Sequence, residues 1–137
     1  MDSKQVEEGL QFTPKFDANG LIPVIAQEAN TGEVLMFAWM NREALDRTIE
    51  TGRATYFSRS RGKLWLKGEQ SGHFQLVKQI LVDCDQDCLI LKVAVEEGQC
   101  HVGYKSCFYR TLQPASKTAL ALTAQKVYDP ATTYKKA

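Results

Sequence analysis

The residues best suited to chemistry lie in one region of the sequence, between positions 83 and 107. It contains three aspartates and all four cysteines of the chain. Thiolates bind soft divalent ions such as zinc, whereas carboxylate oxygens suit magnesium or calcium. Two ligand types at metal-binding spacing predict two metal roles in one site. The candidate zinc ligands are Cys84, Cys100 and Cys107, and the candidate oxygen ligands are Asp83, Asp85 and Asp87.

The number of zinc ligands separates a catalytic site from a structural one. A structural zinc has four protein ligands, whereas three leave a coordination position open for water. Cys88 and His101 compete for a fourth position, so a zinc that only stabilises the fold stays an alternative. Beside an open site, His101 could take or give a proton near neutral pH. Cys88 begins a predicted strand and is interpreted as a small core residue.

The acidic stretch poses a geometric problem. If residues 83–87 were extended, the aspartates would lie on one face and Cys84 on the other. Either the segment curls, or Cys84 binds a zinc on its other side, which another subunit could share. The stretch is not an EF-hand, because Cys88 and Ala94 occupy the positions that require glycine and glutamate. The H-x-E and P-C-x-x-C signature of zinc deaminases is also absent.

Two polar loops precede the acidic region and flank the apolar residues 64–66. Residues 59–63 are basic and hydroxyl-bearing, and residues 67–73 combine glycine with polar side chains. Arginine, serine, lysine and glycine backbone are groups that bind phosphate. Composition alone favours a solvated hairpin surface, since runs of charge are usually solvated.

The elements that must position these loops are mostly short strands. Apolar runs predict strands at 21–27 and 34–39, joined by a hairpin turn at 30–32. The clearest helix is 41–51, with Asn41 as its N-cap and Gly52 after its end. The sequence predicts a mainly β fold with helical additions (α+β), a largely antiparallel sandwich or partial barrel. Further strands are predicted at 55–57, 74–82, 89–95 and 106–112, and a short helix at 117–126.

Length and composition exclude several classes of protein. A chain of 137 residues predicts one domain, with a polar lead-in at 1–20 and a tail at 114–137. The net charge of +1 gives no basic field for nucleic acid, and no apolar run approaches the ~20 residues of a membrane span. The N-terminus lacks a signal peptide, so the cysteines are expected to be reduced metal ligands in the cytoplasm rather than disulfides.

Several stretches together closely resemble the phosphoribosyl-AMP cyclohydrolase family of histidine biosynthesis. They span roughly residues 37–110, and the most specific is D-C-D-x-D with paired downstream cysteines. The pyrophosphohydrolase domain fused to this enzyme in some organisms has no counterpart here, so the resemblance implies the monofunctional form. The stretches are FAWMN (37–41), YFSRSR (56–61), WLKGEQSGH (65–73), VDCDQD (82–87) and Cys100-His101 through Cys107-Phe108.

The resemblance implies an activity and its parts. The family hydrolyses the N1–C6 bond of the adenine ring of phosphoribosyl-AMP, with zinc at the three cysteines and magnesium at the three aspartates. It is an intertwined homodimer whose zinc takes ligands from both subunits. Zinc would lower the pKa of its water for attack at C6, with His101 as proton shuttle. The phosphate and ribose candidates are Arg59, Ser60, Arg61, Lys67 and Ser71; Glu69 and His73 are candidates for the base or for proton transfer.

Two rival functions remain at this stage. A zinc-stabilised nucleotide- or RNA-binding module could stack bases on Tyr56, Phe57 and Trp65 beside the basic loop. It predicts a closed four-ligand zinc and no turnover, and the aspartates argue against it because carboxylates repel phosphates unless a metal lies between. The second rival is hydrolysis of another purine nucleotide on this scaffold.

Overall fold

A computed structural model describes residues 2–96 and 98–133 of the chain. Eight strands and three helices follow one another in it. In chain order they are α1 (Ser3–Glu8), β1 (Ile22–Glu28), β2 (Val34–Met40), α2 (Arg42–Thr51), β3 (Thr55–Ser58), β4 (Lys63–Leu66), β5 (Leu76–Val82), β6 (Leu89–Ala94), β7 (Arg110–Leu112), β8 (Leu120–Leu122) and α3 (Pro130–Thr133).

The main sheet has four strands in the order β2-β1-β6-β5. Its outer pairs β1/β2 and β5/β6 are antiparallel, whereas the central pair β1/β6 is parallel, with Val24 opposite Leu89. The pairs β3/β4 and β7/β8 form separate antiparallel hairpins. The prediction of a mainly β fold with helical additions is therefore confirmed. The main sheet is open with β2 and β5 as its edges, and a sandwich or barrel is not confirmed.

The core lies on one face of this sheet and follows the alternation of β1 and β6. Alternate residues of these strands are fully buried, as expected for strands with one face against a core. Helix α2 and β3 cover that face through Ala44, Leu45 and Tyr56. The buried strand residues are Ile22, Val24, Ala26, Leu89, Leu91 and Val93.

Helix α2 has the caps that the sequence predicts. The Asn41 side chain accepts a hydrogen bond from the Ala44 N–H at 2.8 Å, and Gly52 ends the helix in the left-handed region at φ 74°. The buried Thr48 then joins the helix to the next strand. Its Oγ1 donates to the Ala44 carbonyl at 2.9 Å and accepts from the Thr55 N–H at 2.9 Å. This contact fixes the start of the β3–β4 hairpin.

Thr48→Val should lower the free energy of unfolding by about 1–3 kcal/mol, because it removes the acceptor of a buried N–H without changing side-chain shape. Urea unfolding measures the loss. The exposed Thr123 provides the matched control, and Thr123→Val should stay within about 0.5 kcal/mol of wild type. Equal effects of the two substitutions would show that the Thr48 hydroxyl does not join helix to hairpin.

The two ends of the chain differ from the predictions. The predicted helix at 117–126 is wrong: residues 120–122 form β8, with Leu120 opposite Leu112 and Leu122 opposite Arg110. These leucines are two residues apart, which is a strand period. The strand predicted at 106–112 is shortened to β7. The lead-in contains α1, whose Asp2 and Gln5 form a capping box. No helix among the described residues is long and apolar enough to cross a bilayer.

Candidate active site

A cavity of about 670 Å³ opens between the β3–β4 hairpin, the loop that follows it and residues 99–107. Its volume is within the range of small-molecule sites. The structure therefore brings together residues from three separate stretches of the sequence. The predicted site residues that line it are Ser60, Arg61, Lys67, Glu69, Ser71, His101 and Cys107.

Two predicted substrate residues do not line this cavity. The Arg59 guanidinium lies over the Trp39 ring, 4.7 Å from its centroid, where the cation is attracted to the ring face. His73 is buried and meets the Tyr128 ring edge-on at 4.7 Å. Tyr128 in turn donates a hydrogen bond to the Cys100 carbonyl. His73 thus packs beneath the cysteine segment.

The mouth of the cavity is the turn of the β3–β4 hairpin. Ser58 organises this turn, because its Oγ accepts from the Arg61 N–H at 3.2 Å and its carbonyl accepts from the Gly62 N–H at 2.8 Å. Arg61 and Lys63 are exposed there, and Glu69 is the acidic residue on the lining. The excess of cations over acids suits an anionic ligand.

Lys67 has a different environment from the other basic residues. It is buried, and its Nζ donates to the Gln99 carbonyl at 2.8 Å. Burial lowers the pKa of Lys67, while the Cys107 and Cys100 thiols act in the opposite direction. The ammonium group therefore supports the main chain next to Cys100 as well as lining the cavity.

A buried polar network, which the sequence did not indicate, underlies this wall. The Tyr56 hydroxyl donates to the Gln75 Oε1 at 2.6 Å, and the Gln75 Nε2 donates to the Gln99 Oε1 at 2.9 Å. All three residues are buried, and burial raises the pKa of Tyr56, which keeps its phenol a donor. Buried polar groups are stable only when their hydrogen bonds are made. The network therefore holds Gln99, and with it the segment that leads into Cys100, in a fixed position.

The buried Cys100 and the exposed Cys107, which lines the cavity, form a thiol pair. The Cys107 N–H donates to the Leu35 carbonyl at 2.7 Å, which attaches the pair to β2. Desolvation of the thiol raises the pKa of Cys107 to about 12, with the neighbouring Cys100 thiol adding to the effect and Lys67 opposing it. Zinc binding to such a pair would release protons.

Cys84 lies far from this pair within one chain. It follows β5, whereas Cys107 is attached to β2, and these strands are opposite edges of the sheet. Three strand spacings separate the edges by roughly 14 Å, whereas two thiolates on one zinc lie at most ~4.6 Å apart. No three His, Cys, Asp or Glu side chains within residues 2–96 and 98–133 form a metal-binding group.

The acidic stretch is curled and not extended. The Asp83 Oδ1 accepts from the N–H groups of Asp87 at 2.9 Å and Cys88 at 3.0 Å, and Gln86 has φ 59°. A hydrogen bond with the Asp83 side chain, desolvation and the charges of Asp83 and Asp85 raise the pKa of Asp87. All three carboxylates are exposed. Carboxylate oxygens suit a hard cation, and of the three only Asp83 and Asp87 are joined by a side-chain hydrogen bond.

The loop after β4 passes very close to its own backbone, where Gly68 faces His73 and Phe74. Gly68 has φ 96°, and a Cβ there would lie 2.5 Å from the Phe74 backbone nitrogen. Gly68→Ala should therefore displace the loop that carries Glu69 and Ser71, raising KM at least ~10-fold and costing about 2–3 kcal/mol of stability.

Gly20→Ala is the matched control for this change. Gly20 also has positive φ, at 76°, but a Cβ there meets nothing within 4 Å, and Gly20 does not line the cavity. It should cost no more than about 1 kcal/mol and leave KM within ~2-fold. Steady-state kinetics and thermal unfolding of the two variants measure the difference, and a KM for Gly68→Ala equal to that of Gly20→Ala would contradict the predicted role of the loop.

Comparison with known proteins agrees with this arrangement. The model of the phosphoribosyl-AMP cyclohydrolase family matches residues 36–109. The chain is 59% identical over 122 residues to the phosphoribosyl-AMP cyclohydrolase of Methanococcoides burtonii, covering 89% of this chain and 96% of that one. The chain belongs to the phosphoribosyl-AMP cyclohydrolase family.

Other members of the phosphoribosyl-AMP cyclohydrolase family match at similar levels. The protein of Hyphomonas neptunium is 62% identical over 107 residues, covering 78% of this chain and 82% of that one. The protein of Chlorobium limicola is 48% identical over 135 residues, covering 98% of this chain and 97% of that one. Cyclohydrolases are hydrolases, so the chain is an enzyme and not a binding module without catalysis.

Several cavity residues were missed by reasoning from the sequence. Ser58 and Gln70 lie inside the stretches that carry the family resemblance, so their position was a usable signal. Gln99 directly precedes Cys100, but glutamine is usually exposed. No local pattern in the sequence indicates that Gln75 is buried in a polar network, because its role depends on contacts with residues distant in the sequence.

Proposed function

We propose that the chain hydrolyses the N1–C6 bond of the adenine ring of phosphoribosyl-AMP, in histidine biosynthesis. The observation that carries this proposal is the meeting of three features in one cavity. The basic hairpin turn, His101 and the Cys107 thiol all line it. A substrate with two phosphates and a purine needs cationic groups, a proton-transfer group and a way to activate water.

We propose that zinc binds at Cys100 and Cys107 of one subunit and Cys84 of another. The donor set fits zinc, because three thiolates leave one position for water. The separation of Cys84 from the other two thiols within one chain supports a site shared between two copies. Reduced thiols also fit a cytoplasmic enzyme.

Exposed apolar side chains supply further support for a homodimer. The β7–β8 hairpin has its apolar side chains largely exposed, and an isolated two-stranded hairpin is marginally stable in water. A second copy that covers this surface would stabilise it. The exposed side chains of this region are Phe108, Leu112, Leu120, Leu122 and Val127.

In the proposed mechanism, Cys84, Cys100 and Cys107 would hold zinc, which would lower the pKa of a bound water toward neutrality. His101, exposed at the cavity wall, takes or gives the proton that moves during ring opening. Ser60 and Arg61 at the mouth bind a phosphate. Ser71, Lys67 and Arg59 are the further phosphate and ribose candidates, and Glu69 and His73 the candidates for the base.

Magnesium at Asp83, Asp85 and Asp87 follows from the same arrangement. Cys84 lies between two of these aspartates in the sequence. If Cys84 joins the thiol pair of another subunit, the acidic loop enters the cavity of that subunit. A magnesium ion there would screen a substrate phosphate from the carboxylates or orient the substrate.

Turnover of phosphoribosyl-AMP, followed by absorbance as the ring opens, tests the reaction and the metal together. Turnover should fall at least ~100-fold when a chelator removes zinc and should return with added zinc. AMP, which lacks the second phosphoribosyl group, is the control substrate and should not react. Absence of turnover with both metals bound would refute the proposed reaction, and turnover of AMP at a similar rate would point to another purine nucleotide as substrate.

A further inference from the structure

Gln86 is the one residue of the acidic loop whose side chain points into the protein rather than to solvent. It is 5% exposed, whereas Asp83, Cys84, Asp85 and Asp87 around it are exposed. Its φ of 59° is in the left-handed region, which glutamine rarely adopts. A residue persists in such a conformation when its surroundings hold it there. The contacts of Gln86 therefore decide the shape of the loop.

The backbone N–H of Gln86 donates to the Asp83 carbonyl at 3.0 Å within the loop, whereas its side chain and its carbonyl contact the N-terminal segment, some 70–80 residues earlier in the chain. The Gln86 Oε1 accepts from the Thr13 N–H at 2.7 Å. Its Nε2 donates to the carbonyls of Val6 at 3.1 Å and Gln11 at 3.2 Å. Its own carbonyl accepts from the Lys15 N–H at 2.7 Å. Both the oxygen and the nitrogen of the side-chain amide therefore form hydrogen bonds with the backbone of one segment.

We propose that residues 6–15 act as a strap that fixes residues 83–88 in their curled shape, with Gln86 as the positioning residue. Within the loop, the shape brings the Asp83 carboxylate to the N–H groups of Asp87 and Cys88. The strap holds the loop in position, and the loop contains the proposed metal ligands. The metal-binding part of this inference rests on the proposed function, whereas the coupling of strap and loop does not.

Gln86→Asn tests the strap because it shortens the side chain while keeping an amide. Asparagine also tolerates positive φ better than most residues, so the backbone conformation is not itself opposed. Gln125→Asn, at an exposed glutamine, is the matched control. Hydrogen–deuterium exchange of the metal-free full chain, read by mass spectrometry, measures local opening. Magnesium titration of the zinc-loaded protein measures the effect on the ligands.

Gln86→Asn should raise exchange of both 6–15 and 83–88 by at least ~10-fold, leaving α2 as protected as in wild type. The magnesium concentration for half-saturation should also rise ~10-fold. Faster exchange of 6–15 with unchanged exchange of 83–88 would overturn the strap. Unchanged magnesium affinity despite opening of both segments would overturn its effect on the proposed metal ligands. If wild-type protein bound no magnesium, the proposed metal role would fail, while the exchange data would still decide the coupling.

Discussion

Mixing Cys84→Ala with Cys107→Ala protein should restore about a quarter of wild-type activity, although each variant alone should be at least ~100-fold less active. The loss follows because removing a metal ligand should cost at least as much as removing the groups that orient ligands. Recovery follows from symmetry: after random exchange of subunits, half of the dimers are mixed, and each has one intact site out of two.

The reason for this expectation is the position of β2 and β5 at opposite edges of the sheet. Cys84 and the Cys100–Cys107 pair lie at these opposite edges within one chain, so the proposed zinc site needs two chains. Cys88→Ala serves as the control, because Cys88 is partly buried before β6 and is not a proposed ligand. It should keep zinc and turnover close to wild type.

Zinc content measured alongside activity makes the mixing experiment decisive. The mixture should regain zinc in the same proportion as turnover. A mixture no more active than the sum of its two components, under conditions where subunits are seen to exchange, would mean that all three ligands come from one chain. That result would contradict the proposed shared site.

His101→Ala should lower kcat by about 10²–10⁴-fold, the usual contribution of general acid–base catalysis. His101 lines the cavity with Cys107 and is not a proposed zinc ligand. Zinc content should therefore stay at the wild-type level, and KM should change little. The pH dependence of kcat should lose one limb, because one proton-transferring group has been removed.

His101→Gln distinguishes proton transfer from hydrogen bonding. Glutamine can donate and accept hydrogen bonds but does not titrate, so it should be nearly as impaired as the alanine variant. Recovery of most of kcat by glutamine would indicate that His101 orients substrate rather than moving a proton. An unchanged kcat and pH profile in His101→Ala would remove it from the mechanism altogether.

The features predictable from the sequence were those set by local interactions. The caps of α2, at Asn41 and Gly52, were predicted because both act within one turn of the helix. The β3–β4 hairpin and the alternation of β6 were likewise visible in adjacent residues. The metal-ligand candidates could be recognised because cysteines and aspartates at this spacing are typical of metal-binding segments.

Features set by distant contacts were not predictable. The tail was assigned a helix because no local pattern showed that Leu120 pairs with Leu112. The parallel pairing of β1 with β6 also cannot be recognised from the sequence of either strand alone. Gln75 and Gln86 appeared to be ordinary polar residues, and they matter through partners 19 to 80 residues away in the chain.

The central parallel pair has a consequence for how the protein is made. Val24 pairs with Leu89, so 65 further residues must be synthesised after Val24 before its partner on β6 exists. At ordinary translation rates this takes about 3–13 s. During that time the β1–β2 hairpin exposes an unpaired apolar edge, a template for misassembly between nascent chains. The β1 edge of the N-terminal hairpin therefore stays unpaired until β6 has been synthesised and pairs with it.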